Sequence, residues 1–269
     1  MTDRRNPAAR PAPVVVITGG TSGLGRALAR ELAARGAAVV LSGRSAQKAK
    51  EAASALGEAR ILGVGCDVRR APEVDALWEA AVARFGRVDH WINNAGIGHP
   101  HRRLDDLDPE QVDAVLGTNL TGALTGARRA LQGMLTQPGG GRIWLTEGLG
   151  SSRLQPAMAG IGVYGASKSA AGYAFRALAK ECRGTGVQIG FLRPGIMPTP
   201  VVLGGPDTEL PAATRRMAGI LGDSAEDVAR GFAPRILRAG RNGRRLTWLT
   251  PARTASHLLT APFRRRQPF

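Results

Sequence analysis

Eight residues near the start of the chain restrict its fold more than any other feature. The apolar run 14–18 leads without a break into Thr18-Gly19-Gly20-Thr21-Ser22-Gly23-Leu24-Gly25, and the segment that follows, RALARELAARG, has helical period. A strand that turns on glycines straight into a helix brings free backbone N–H groups and the positive end of a helix dipole to one point. Glycine also lets the main chain come close to a pyrophosphate. The order strand, turn, helix therefore points to a dinucleotide site at the head of a βαβ unit, rather than to a simple turn.

The rest of the chain continues in the same rhythm. Short apolar runs recur at 14–18, 38–42, 61–66, 90–93, 142–146, 187–192 and 245–249. Between them lie segments of helical period at 24–35, 46–56, 71–85, 109–135, 162–183 and 225–239. This alternation predicts an α/β fold: one Rossmann-like, doubly wound domain with a seven-stranded, mostly parallel sheet and helices on both faces. The domain is expected over 14–250, after a flexible arm at 1–13 and before a basic tail at 251–269. Within it, 194–223 holds five Pro and five Gly without clear period, and is expected as a substrate lid or else as disorder.

The second predicted strand ends in Leu41-Ser42-Gly43-Arg44-Ser45. A carboxylate there would hold the adenosine 2′-hydroxyl of NAD, whereas a guanidinium can form paired, charge-assisted hydrogen bonds to a 2′-phosphate. Arg44 accordingly points to NADP(H) over NAD(H), against the plainer possibility of an exposed arginine.

Lys and Arg total 37 against 21 Asp and Glu, a net charge of +16 that raises nucleic acid or an anionic surface as partners. Only four of the 37 are Lys, a skew that coding bias alone would produce. Ten of the basic residues, and no acidic one, fall in 228–269. Those arginines are not interleaved with stacking aromatics, and aromatics make up only 4% of the chain, which argues against nucleic acid. The tail mixes His257-Leu258-Leu259 with Pro262-Phe263-Arg264-Arg265-Arg266, so it is either a solvated end or a contact for an anionic membrane surface or an acidic partner.

Two cysteines, Cys66 and Cys182, make no metal framework, the four histidines lack ligand spacing, and no metal is expected. The first 13 residues contain no apolar run, and no stretch is long enough to span a membrane, so a reducing, cytoplasmic setting is expected.

In Val163-Tyr164-Gly165-Ala166-Ser167-Lys168, the Tyr and Lys stand four apart at the start of a helix and share one face. A phenol titrating near 10 shuttles protons poorly at neutrality unless a nearby cation stabilises its anion, which Lys168 can do. Such a pair suits acid and base work on a carbonyl or alcohol. Together with the turn TGGTSGLG, the run Asn93-Asn94-Ala95-Gly96 and Pro194-Gly195, it makes the chain resemble the short-chain dehydrogenase/reductase family along nearly all its length.

That resemblance implies roles. Tyr164 would be the proton donor or acceptor, Lys168 would lower its pKa and hold the nicotinamide ribose, and Asn119 in GTNLTG would anchor a proton-relay water. The cofactor would be held by Gly19, Thr21, Ser22, Gly23, Leu24 and Gly25 of the turn, by Arg44, and by Asp67 and Val68 at the adenine. Asn94, Ala95, Gly96, Tyr164, Lys168, Pro194, Gly195, Ile196 and Thr199 would complete the set. The family's serine is harder to place. Counting 13 residues back from Tyr164 reaches Ser151, with Ser152 as its alternative, whereas aligning the strand puts Glu147 or Gly148 there. Ser151 is taken as the expected catalytic serine; if neither hydroxyl reaches the substrate oxygen, only Tyr164 polarises it.

EGLGSSRLQP and WLTPARTASHLLTAPFRRR are also similar, more loosely, to the chlorophyll b reductase subgroup, which reduces a formyl group on a tetrapyrrole. The expected activity is thus NADP(H)-dependent interconversion of a carbonyl and an alcohol on a medium or large substrate. The alternative of another class is a nucleotide-sensing binding protein on the same fold. The family commonly forms homodimers or homotetramers through its long fourth and fifth helices. Glu147 is expected to pair with an arginine rather than with substrate. His99, His101, Arg102 and Arg103 would either bind an acidic substrate or form an exposed loop.

Overall fold

Strands that are apolar on both faces are stable only between two helical layers. In the computed structural model, which describes residues 12–57, 59–151, 157–197, 212–238 and 240–261, that requirement is met. The strands are β1 Val14–Ile17, β2 Ala38–Gly43, β3 Ile61–Gly65, β4 His90–Asn93, β5 Gly141–Thr146, β6 Val187–Arg193 and β7 Arg244–Thr247. They form one seven-stranded sheet in the order β3-β2-β1-β4-β5-β6-β7, and every neighbouring pair is parallel. The expected fold class is the observed one, with the sheet parallel throughout.

Alternate side chains feed two cores. Val15, Ile17, Val39, Leu41 and Trp144 pack with α1 Gly23–Ala33, α2 Ala46–Ser54 and α8 Ala225–Leu237. Val16, Val40, Trp91, Ile143 and Phe191 pack on the other face with α3 Ala71–Phe85, α5 Gly122–Thr136 and α6 Gly162–Glu181. The strand order reverses between β1 and β4, so a crevice opens there at the carboxyl ends of the strands, where ligands bind in open α/β sheets.

Four local expectations are corrected. The single helix expected over 109–135 is α4 Pro109–Leu116, a π-helical turn Gly117–Thr121 and then α5. The widened turn accompanies the grip of the Asn119 amide on Ile97, from whose N–H it accepts at 2.8 Å and to whose carbonyl it donates at 2.9 Å. The seventh strand ends at Thr247 rather than 249: the Trp248 N–H still donates to the Arg193 carbonyl at 2.9 Å, but the chain then turns, with the Thr250 N–H on the Trp248 carbonyl at 3.0 Å, while the Trp248 indole donates to Asp223 at 2.8 Å. The stretch 194–223, expected without regular structure, ends in α7 Ala212–Leu221. The tail at 251–269 likewise begins as α9 Pro251–Thr260, whose Thr250 cap accepts from the Arg253 N–H at 3.3 Å. The arm at 1–11, Ser152, Thr199 and the last eight residues lie outside the described residues.

Candidate active site

The glycine turn builds one wall of the crevice. Gly19 has φ +65°, and a Cβ there would stand 2.8 Å from the Ala95 Cα, so this close pairing of the first turn with the loop after β4 excludes a side chain. Thr18 fastens the same two segments. Its hydroxyl accepts from the N–H groups of Asn94 and Ala95, both at 3.0 Å, while the Asn94 amide donates to the carbonyls of Thr18 and Gly19 at 3.1 Å. Ser22, at the N-cap of α1, makes no side-chain cap, which leaves the first-turn N–H groups for an anion.

A cleft of about 410 Å³ lies along this wall. The turn gives it Gly19, Thr21, Ser22, Gly23 and Leu24, the end of β2 gives Arg44, and the end of β3 gives Asp67 and Val68. Asn94, Ala95 and Gly96 follow β4, Tyr164 and Lys168 come from α6, and Pro194, Gly195 and Ile196 follow β6. Six separate segments, up to about 175 residues apart in sequence, thus converge as the spacing predicts. Gly25 sits outside the lining, backed against Gly19 and Asn94. A turn that only glycine can make, an uncapped helix start and a cation at the second strand's end fit a phosphate-bearing dinucleotide. Arg69 pairs with Asp67 at 2.5 Å, and that contact holds the Asp67 carboxyl below the usual carboxylate range.

Tyr164 and Lys168 share one face of α6 and are both buried. The Lys168 Nζ lies 5.9 Å from the centre of the Tyr164 ring and donates to the Thr146 carbonyl at 3.3 Å. For the protein alone, burial governs both groups: it pushes the Tyr164 phenol up to about 12 and the Lys168 ammonium down to about 8. The expected lowering of the tyrosine by the lysine is therefore outweighed by desolvation. Asn119 is buried outside the cleft's lining, and its amide also donates to Ser167 Oγ at 3.1 Å, which in turn donates to the Tyr164 carbonyl at 2.7 Å. Asn119 thus braces the turn that carries Tyr164.

Ser151 is placed apart from these groups. Its hydroxyl accepts the Gly148 N–H at 3.0 Å and donates to the Lys168 carbonyl at 3.4 Å, so it closes the loop after β5 on backbone groups and does not line the cleft. Gly148 stands against the Tyr164 hydroxyl instead. A Cβ at Gly148 would fall inside contact distance of that oxygen, 3.2 Å from the ring carbon bearing it and 3.3 Å from the Lys168 Cε. Gly148, one of the two positions that aligning the strand offered, is therefore the one that faces the tyrosine, and Ser151, reached by counting back, is not.

Two further buried residues brace the walls of the site. Glu147 is buried and pairs with Arg193 at 2.8 Å and with Arg245 at 3.0 Å, tying the ends of β5, β6 and β7 together as its expected pairing implied. His99 is not part of an exposed loop: Arg102 and Arg103 are exposed, but His99 is only 5% accessible and lies against the first turn of α6. Leu149, Ile97 and Met197 add apolar lining that no motif signalled.

A family model described as short chain dehydrogenase matches residues 13–207. The chain is 30% identical over 274 residues to a probable chlorophyll(ide) b reductase of Arabidopsis thaliana, an alignment covering 95% of this chain and 54% of that protein. It is 37% identical over 225 residues to a 3beta-hydroxysteroid dehydrogenase of Eggerthella lenta, covering 81% of this chain and 84% of the other. The chain spans about half the length of the first of these relatives. Among solved structures it is similar to an alcohol dehydrogenase of Thermococcus sibiricus complexed with 5-hydroxy-NADP, with a TM-score of 0.73, 28% identity, and coverage of 87% of this chain and 96% of that one. It is also similar to a 3-ketoacyl-(acyl-carrier-protein) reductase of Brucella melitensis complexed with NADH, with a TM-score of 0.76, 27% identity, and coverage of 91% and 99%.

Proposed function

The chain belongs to the short-chain dehydrogenase family, and from that premise we propose that it is an NADP(H)-dependent oxidoreductase interconverting a carbonyl and an alcohol on a medium or large organic substrate. The observation that carries this is the convergence of Tyr164 and Lys168 with the glycine turn on one cleft. The nicotinamide, when bound, supplies or accepts the hydride.

The protein's own residues manage the proton. In reduction, the Tyr164 hydroxyl donates to the substrate oxygen as the alcohol forms; in oxidation, its anion takes the proton back. A buried phenolate is costly, and the Lys168 ammonium beside it offsets that cost. Asn119, through Ser167 and Ile97, keeps the supporting peptides in register. With Gly148 against the tyrosine hydroxyl and Ser151 engaged with backbone, Tyr164 polarises the oxygen without either. Arg44 beside the glycine turn supports NADP(H) over NAD(H). The exposed Leu124 and Leu135 of α5 and Tyr173 of α6 support assembly as a homodimer or homotetramer through those helices.

One narrower substrate is favoured by a specific observation. The likeness to a probable chlorophyll(ide) b reductase extends over 95% of the chain, well past residue 207 where the family model ends, which supports a formyl group on a tetrapyrrole.

The test is NADPH oxidation with a panel of aldehydes and ketones that includes a formyl tetrapyrrole. Turnover of at least one member, abolished in Tyr164→Phe with NADPH binding kept, is the expected result. NADPH binding without turnover on any member would favour a nucleotide-sensing protein. Arg44→Ala should raise the Kd for NADPH about tenfold or more and leave NADH nearly unchanged; equal weakening of both would refute the 2′-phosphate assignment.

A further inference from the structure

A helix whose N-cap lacks a side-chain acceptor leaves first-turn N–H groups without a local partner. α6 is such a helix. Ile161 precedes it and forms no side-chain cap, yet the third residue of the helix is Tyr164. The acceptor comes from the loop after β4: the Tyr164 N–H donates to His99 Nε2 at 3.4 Å, across 65 residues of sequence. The other ring nitrogen, Nδ1, lies 2.7 Å from the Pro100 carbonyl, which can only accept. The proton therefore sits on Nδ1, and Nε2 keeps the lone pair that the amide requires.

We infer that His99 is a positioning residue for Tyr164. It holds the N–H of Tyr164 while Ser167 holds the carbonyl of the same residue, so the residue is gripped from both ends. The loop that His99 closes also carries Asn94, Ala95 and Gly96 into the cleft, and Ile97 in the same loop is gripped by Asn119. The imidazole thereby couples the wall of the cofactor cleft to the turn that aims the phenol. Its seclusion, at 5% accessibility, keeps water from competing for the amide. The inference rests on the assignment of Tyr164 as acid and base, but the grip itself can be tested without a substrate.

The chain has two tyrosines, so a Tyr173→Phe background leaves the Tyr164 phenol as the sole tyrosine signal. Its ionisation is followed by ultraviolet difference absorbance, at a pH about one unit above the ordinary tyrosine value. His99→Phe keeps a ring of similar size but has no acceptor, whereas His99→Gln can place an amide oxygen where Nε2 was. The phenol should remain protonated in the parent and in His99→Gln, but ionise about one pH unit earlier in His99→Phe as its shielded position loosens. In the panel assay, kcat should fall about tenfold in His99→Phe, with the KM for NADPH changed by less than about threefold, and recover in His99→Gln.

The inference is overturned if His99→Phe loses only thermal stability while the phenol titration and kcat stay at the parent values, or if His99→Gln behaves like His99→Phe. Should His99→Phe fail to fold, His99→Met against His99→Gln makes the same comparison, and equal titrations of those two overturn it. If no carbonyl is turned over by the parent, the assignment of Tyr164 fails, while the titration still decides whether His99 holds it.

Discussion

Replacing Gly148 by serine should damage the active site, although a serine hydroxyl near a catalytic tyrosine would ordinarily be expected to help. A Cβ at this position overlaps the Tyr164 hydroxyl by about 1 Å relative to normal carbon–oxygen contact, and it would also lie 3.3 Å from the Lys168 Cε. None of the neighbours yields easily. Tyr164 and Lys168 are buried, Lys168 is tied to the Thr146 carbonyl, and the Gly148 N–H is held by Ser151. The tyrosine must therefore move by roughly the overlap. A displacement of about 1 Å in a reacting group costs on the order of 10²-fold in rate, or about 2.7 kcal/mol in the barrier.

The assay is steady-state NADPH oxidation with the best carbonyl of the panel, with NADPH affinity measured by fluorescence as a control. Affinity should change far less than kcat, because the nearest neighbours of the added Cβ are Tyr164 and Lys168 rather than the glycine turn. Gly148→Ala should fall as far as Gly148→Ser, since the offending atom is the Cβ they share. A serine variant as active as the parent, or far more active than the alanine variant, would refute this reasoning, because the hydroxyl would then be at work where the geometry leaves it no room.

Ser151→Ala should leave kcat within about threefold of the parent and lower stability by about 1–2 kcal/mol, read from a urea midpoint, because the hydroxyl satisfies the Gly148 N–H. Glu147→Gln removes a buried charge between two arginines that are about one-third exposed, so part of the loss is screened; about 2–3 kcal/mol in urea unfolding is expected, and no change would mean that the tie between β5, β6 and β7 is idle. His90 accepts from the Trp144 indole, and burial, aided by Arg142, pushes its imidazole down to about 4. The folded state then binds fewer protons than the unfolded state between about pH 4 and 6.5, so stability is full above that window and falls as the pH drops through it, by up to about 3 kcal/mol. His90→Gln should flatten that slope in thermal melts, and an unchanged slope would assign it to other groups.

What could be read from the sequence was chemistry carried within one element or one uninterrupted junction. The glycine turn lies between a strand and the helix it starts, and Tyr164 and Lys168 are one helical turn apart, so spacing alone puts their groups together. What escaped depends on contacts between distant segments. His99 looked like part of a polar loop because its partner is the amide of Tyr164, which no side-chain pattern reveals. The π turn at Asn119 escaped because one extra residue in a helix barely alters its apolar period, while the bonds that accompany it reach back to Ile97. The serine position stayed ambiguous for a related reason: loop length between β5 and α6 can absorb a few residues, so counting from either end gives a different answer, and only the approach of Gly148 to the Tyr164 hydroxyl chooses between them.

The arginine-rich end of the chain shows how charge can mislead when it is separated from packing. Over 228–269 the sequence has ten arginines and no acid, yet several of those arginines work within the fold. Arg245 neutralises the buried Glu147, Arg230 pairs with Asp227 at 3.1 Å, Arg235 reaches the Thr247 carbonyl at 3.5 Å, and the Arg253 guanidinium lies 3.5 Å from the centre of the Trp248 ring. Their partners are carboxylates from earlier in the chain, a carbonyl and an aromatic face, none of which alters a local count of acids and bases. Two of these contacts also join the C-terminal elements to the site. Glu147 adjoins Gly148 and links β7 to β5, and Trp248, under Arg253, binds Asp223, whose N–H donates to the Ile196 carbonyl at 3.2 Å at the cleft's edge. Part of the basic end therefore serves to close the sheet behind the active site, and a surface role for its charge would have to rest on the arginines that this scaffold does not use.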